Sequence, residues 1–156
     1  MRRNAFTLIE LLVVISILGI LAALVFVSFS SSQKQARDTQ RKSDLKQYST
    51  SLESFASASN GMYPSWTNIV NASLGLCSAL GLSACPEDPK LANDSTYQRY
   101  KYSSSGSGGG VAKAVKYVLW AKLEGSANYW VVCSTGVSST KSKTGWANPS
   151  AGVCPL

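Results

Sequence analysis

From Phe6 to Phe29 the chain is apolar almost without a break, and Glu10 is the one ionisable side chain inside the run. As an α-helix, residues 6–29 would extend roughly 36 Å at about 1.5 Å per residue, enough to cross a hydrocarbon core of about 30 Å with some tilt. Arg2 and Arg3 stand just before the run. They predict a single pass through the cytoplasmic membrane, with the amino end kept inside and the remainder placed outside. A carboxylate at the centre of such a helix costs on the order of 2.5–3.5 kcal/mol. Glu10 therefore asks for a partner.

After the run the pattern changes. Ser30-Ser31-Ser32 is poor in apolar residues and predicts a looser join. Gln33 to Ser59 is free of proline and glycine, which favours helix. Leu45, Tyr48, Leu52 and Phe55 recur at spacings of three and four, so they share a face that packs on whatever follows. Lys34 to Lys46 is mostly polar and reads as a solvated helix face, with Lys34–Asp38 and Asp38–Lys42 as pairs worth only tenths of a kcal/mol. Asn60-Gly61 then supplies a stop and a turn.

Residues 67–95 read as a loop region with a short helix around Ile69 to Leu80. Tyr97 to Tyr102 is rich in strand formers, and Ser103 to Gly110, nearly all serine and glycine, predicts a flexible surface loop. Val115, Tyr117, Leu119, Ala121 and Leu123 alternate with other residues at a period of two, and Tyr129 to Cys133 gives one more strand. Three antiparallel strands packed on the helical stem make an α+β domain. The last segment, Ser134 to Leu156, is polar and interrupted by glycine and proline, so it must be fastened by something other than its own core.

Charge and cysteine add bounds. The net charge of +7 is concentrated in the first residues and between Lys34 and Lys46. A nucleic-acid surface is thus permitted but not indicated. Cys77, Cys85, Cys133 and Cys154 contain no close CxxC pair, which speaks against zinc. In an exported domain they form disulfides, for which three pairings are open. There is no histidine, which excludes a Ser-His-Asp triad, a Cys-His dyad and histidine metal ligands. No phosphate-binding or dinucleotide fingerprint occurs. No enzyme and no cofactor are expected. Glu87 and Asp88 are adjacent loop acids, expected to be solvated.

The amino terminus admits a plain anchor or an ordinary secretory signal cut near Ser28-Phe29-Ser30, although its apolar core exceeds the usual length of roughly 7–15 residues. A third reading is a basic leader cut before the run. Ala5-Phe6-Thr7-Leu8-Ile9-Glu10, followed by Leu11-Leu12-Val13-Val14 and Ile17-Leu18-Gly19-Ile20-Leu21-Ala22, resembles the class III leader and first helix of type IV pilins and type II secretion pseudopilins. The resemblance implies a pilin-like fold in four parts. Residues 1–5 would be the leader, 6–29 the transmembrane and assembly helix, 30–60 the helical stem, and 61–156 an extracytoplasmic head with a carboxy-terminal loop.

It also implies roles and partners. A prepilin peptidase would cut between Ala5 and Phe6 and methylate the new amine of Phe6. An inner-membrane assembly platform would pass the subunit from membrane lipid into a helical filament of its own copies. Glu10 would be the assembly glutamate, paired with the Phe6 amine of a neighbouring copy in surroundings where attraction is weakly screened. Such a pair sets register more than it adds stability. The charges of the stem would then face other subunits or lipid head groups.

Two departures stand out: Ala5 replaces the usual glycine before the cut, and Val27 replaces a proline that loosens the helix in many relatives. Met62-Tyr63-Pro64 resembles the Gly-x-Tyr-Pro stretch after pseudopilin stems. The family often closes a carboxy-terminal loop with a disulfide, which favours Cys133–Cys154 and hence Cys77–Cys85. Calcium sites near the carboxy terminus of major pseudopilins use acids. None follows Glu124 here, leaving Asp88 and Asp94 as the remaining candidates elsewhere. The leading function is a pilus filament subunit for adhesion or motility. The alternatives are a pseudopilin of a secretion or DNA-uptake apparatus, and a non-polymerising tether whose head binds DNA or glycan through Lys141, Lys143 and Trp146.

Overall fold

One helix, α1 (Leu8–Ala58), carries both the apolar run and the polar stem through 51 residues, about 76 Å at 1.5 Å per residue. The computed structural model of the chain describes residues 6–91 and 99–156, and the side chains of 24–28 lie outside that description. Residues 1–5, Asp94, Tyr97 and Gln98 are outside it too. The looser join expected at Ser30-Ser31-Ser32 is absent, because α1 continues through it. Short hydroxyl side chains are tolerated in this helix by bonding back one turn. Ser16 Oγ donates to the Leu12 carbonyl at 2.8 Å, and Thr39 Oγ1 to that of Gln35 at 2.9 Å. Nor does a proline interrupt the ladder, since Val27 stands where relatives often place one. The helix ends at left-handed Asn60 and Gly61, whose φ angles are 53° and 76°. The Gly61 amide donates to the Ala56 carbonyl at 2.8 Å.

The head begins with β1 (Tyr63–Trp66) and β2 (Val70–Asn71). A π-helical turn (Ala72–Leu76) and the short α2 (Cys77–Ala79) follow, where one short helix was expected. Then come β3 (Lys101–Ser104), β4 (Gly109–Ala114), β5 (Tyr117–Lys122), β6 (Asn128–Cys133) and β7 (Ser138–Ser142). The main sheet is antiparallel with order β2-β3-β5-β6-β7, and β1 pairs with β4 in a separate ribbon. Five strands plus a ribbon replace the three expected. The serine-glycine stretch is shorter as a loop than its composition suggests, since Ser103 and Ser104 are buried in β3. The Ser104 hydroxyl accepts from the Trp66 amide at 2.9 Å, which satisfies it there.

The core forms between α1 and one face of the main sheet. Leu45, Tyr48 and Leu52 are fully buried against Tyr102, Tyr117, Leu119 and Val132. Phe55 is only half-buried, and the stripe continues through Ala56 instead. At its other end the next position on this face is Arg41, also fully buried. The opposite sheet face is covered as well. Val118, Trp120, Val131 and Cys133 form a second cluster under Tyr129, Trp146 and Cys154. The carboxy-terminal segment thus closes the back of the sheet. Cys133 is bonded to Cys154, and Cys77 to Cys85. At Gly152, φ is 66° and a Cβ would lie 2.5 Å from the Lys116 carbonyl oxygen, so the tail approaches the β4–β5 turn backbone to backbone.

Candidate functional site

The amino-terminal end of α1 is built around Thr7 and Glu10. Thr7 is the N-cap, with φ −82° and ψ 150°, and its Oγ1 accepts from the Glu10 amide at 3.3 Å. Glu10 Oε2 accepts in return from the Thr7 amide at 2.9 Å and from Thr7 Oγ1 at 2.7 Å. This reciprocal capping box satisfies donors that the helix cannot satisfy internally. It also folds the carboxylate back toward the start of the helix, onto the Thr7 amide and hydroxyl. The partner that Glu10 demands inside the subunit is therefore Thr7. The signal for it in the sequence is the Thr-x-x-Glu spacing of Thr7 and Glu10.

The helix behind this cap is bare. Each large apolar residue described from Phe6 to Leu21 is at least 49% exposed. The head covers none of this length. So long an apolar surface exceeds what a soluble monomer ordinarily shows, and something else must cover it. Among the described residues, no helix is long and apolar enough to cross a membrane.

Farther along α1, the charges expected to be solvated join the stem to the head. Arg41 Nε and Nη2 donate to the two oxygens of Asp88 at 2.7 and 2.9 Å, and Nη1 donates to Asp38 at 2.7 Å. The side chains of Arg41 and Asp88 are 0% and 2% exposed. Burial opposes the guanidinium charge, but the bonds from Asp88 and Asp38 outweigh it and hold Arg41 protonated. Asp38 also accepts from the amides of Glu124 and Gly125 at 2.7 and 2.8 Å. Arg37 grips Glu124 with two bonds of 2.6 Å, and Lys90 Nζ lies 3.1 Å from the same carboxylate. The Arg37 bonds hold the Glu124 carboxyl well below its usual range, at about 2.

Asp88 is thus neither solvated nor free to serve a cation. Among the described residues no group of acids, cysteines or histidines could hold a metal ion, and Asp94 lies outside them. Glu87 follows its expected surface role more closely, accepting from Ser73 at 2.6 Å and Arg99 at 3.0 Å. Lys141 and Lys143 are exposed. Trp146, in contrast, is stacked on Tyr129 with centroids 4.3 Å apart and leans on Trp120. Its ring is used in packing the tail and does not stand free beside the two lysines.

Residues 1–26 match the prokaryotic N-terminal methylation motif. Over 56 residues, 36% of this chain, the sequence is 41% identical to the type IV major pilin protein PilA of Myxococcus xanthus, covering 26% of that protein. Over 64 residues, 41% of this chain, it is 44% identical to the type II secretion system core protein G of Pseudomonas aeruginosa, covering 44% of it. The matches therefore span less than half the length of either relative. No solved structure matches the chain. The chain, whose first residues join Phe6 and Glu10 to a continuous apolar helix, is thus similar to type IV pilins and type II secretion pseudopilins.

Proposed function

We propose that the chain is a structural subunit of a type IV pilus-like filament. In this reading a prepilin peptidase removes residues 1–5 and methylates the amine of Phe6. The subunit is held in the cytoplasmic membrane by residues 6–29, amino end inward, and an assembly platform then transfers it into a helical array of its own copies outside. The observation that carries the reading is a long apolar helix, uncovered by its own head, with one carboxylate at its tip. Lipid covers that surface first and neighbouring helices cover it afterwards. No catalytic role is proposed.

The capping box refines the role of Glu10. Before assembly, Thr7 satisfies the carboxylate and turns it toward the helix start. In the filament the Phe6 amine of the next copy adds a charge-assisted bond to an acceptor already in place. A copy in the wrong register leaves its amine without a counter-charge in an apolar setting, which is the costlier state. The similarity to a secretion core protein G favours a second reading, a pseudopilin of a secretion or uptake apparatus, built by the same assembly chemistry.

Mass spectrometry of the mature protein, with electron microscopy of fibres sheared from cells, tests the proposal. The expected results are a methylated Phe6 terminus and fibres containing this chain. A mature start near Ser31 would replace the reading by an ordinary secretory signal. Abundant processed protein with fibres absent from the cell surface would favour the pseudopilin.

A further inference from the structure

Between α1 and the free edge of the main sheet runs a groove. A cavity of about 220 Å³ is lined by Lys42, Lys46, Trp130, Val132 and Ser138, and a second of about 390 Å³ continues from Lys42 to Thr140. The register explains the lining. Trp130 pairs with Thr140 and Val132 with Ser138, so all four side chains point to the stem side of the sheet. Lys42 Nζ stands over the Trp130 ring, 4.9 Å from its centroid, and is attracted by the ring face.

The distribution of charge says what fits there. The chain has eight acids, and Asp94 lies outside the described residues. Each of the other seven already accepts a hydrogen bond from its own subunit. Lys42 and Lys46 meet no carboxylate among the described residues. The two lysines thus present positive charge that no carboxylate of their own subunit neutralises among the described residues, and a separate polyanion complements it. Base stacking is poorly served, because Lys42 covers one Trp130 face and the ring also packs on the core. A lining of lysines, serine and threonine hydroxyls and the rim of an indole instead matches sugar hydroxyls and carboxylates.

We propose that this groove binds a carboxylated polysaccharide chain. Lys42 and Lys46 hold its carboxylates, Ser138 and Thr140 bond its hydroxyls, and Trp130 and Val132 form the apolar floor. The proposal concerns the head alone and does not depend on whether the chain polymerises.

The test uses the full chain in nonionic detergent at physiological ionic strength, with polygalacturonate as probe and neutral dextran and an oligothymidylate as comparators. Lys42→Gln together with Lys46→Gln is expected to weaken polygalacturonate binding about tenfold or more, the effect of losing two charge contacts of about 0.7 kcal/mol each. Lys113→Gln with Lys116→Gln removes the same charge from an exposed site on β4 and the turn after it. That pair is expected to leave binding within about twofold, since neither lysine lines the groove and exposed charges are screened by salt. Ser138→Asp, on the exposed edge strand, should weaken binding without disturbing the core, and far-UV dichroism checks each fold. Equal losses from both lysine pairs, dextran binding as tightly, stronger binding of the oligothymidylate, or no polygalacturonate binding would each overturn the assignment.

Discussion

Arg41 on the stem and Asp88 in the head, 47 positions apart in sequence, meet through two parallel hydrogen bonds with both side chains out of water. This pair occupies the place on the stem stripe where an apolar residue would extend the core. Its worth lies less in net stability than in the penalty for breaking it, because an unpaired buried charge is costly. Asp88→Ala is predicted to destabilise the head by about 3–5 kcal/mol. Arg41→Met combined with Asp88→Ala is predicted to cost clearly less than the sum of the single changes, as contacting residues are not additive. Thermal denaturation of the four proteins in one detergent buffer measures the cycle. Additive losses would show that the pair is not coupled.

A second prediction concerns acid. Arg37 depresses the Glu124 carboxyl to about 2 from a reference of 4.5. A depressed carboxyl contributes stability above its unfolded value and loses it as pH falls through its folded value. The contribution of Glu124 is therefore present above about pH 4.5 and declines toward about pH 2. Asp44 acts with the opposite sign. Its carboxyl is raised mainly by burial, so it disfavours the folded state as pH climbs past the reference value of 3.8. Comparing wild type with Glu124→Gln isolates the first effect. The gap between their melting temperatures should narrow as pH is lowered from about 5 toward 2. A gap independent of pH would refute the assignment.

The tail provides a third. Gly152→Ala places a methyl group against the Lys116 carbonyl at a positive φ, so something must shift. A loss of about 1–3 kcal/mol is expected. Replacing Cys133 and Cys154 by serine should cost roughly 3 kcal/mol through the loop that the bond closes. Both changes should loosen Trp146 from Tyr129 and Trp120, and a red-shifted tryptophan emission would report it. Unchanged emission with unchanged melting would mean that the tail is held by other contacts.

A fourth separates the two partners of Glu10. Glu10→Ala should leave the head folded and the protein membrane-bound but abolish normal filaments. Thr7→Val removes the capping hydroxyl while leaving the carboxylate. It is expected to reduce filament yield several-fold without abolishing assembly, a helix cap being worth about 1 kcal/mol. Counting fibres per cell by electron microscopy reads both. Normal filaments from Glu10→Ala would defeat the register hypothesis.

What could be read from the chain beforehand follows a physical division. Leu45, Tyr48 and Leu52 announce their face because burial and period coincide, and β5 and β6 are visible because strand-forming residues run through both. β7 is not, because Ser138 to Ser142 is exposed throughout and held mainly by its ladder to β6. β1 hides behind Pro64. The ion network hides for another reason. Charges at Lys34 to Lys46 look solvated until Asp88 and Lys90, from one turn of the head, and Glu124, from another, arrive beside them. Burial of Ser103 and Ser104 is equally silent, since their composition matches that of a loop.

α1 has a consequence for how force would travel. Because the helix passes without a joint from the exposed apolar half to Leu45, Tyr48 and Leu52, tension applied at its tip is delivered directly to the head's central packing. There is no soft segment among the described residues in which such a load could dissipate by unwinding first. Resistance then falls to side chains sheared across the helix–sheet seam, and the buried guanidinium is the element there that can least afford to slip, since displacement strands its charge.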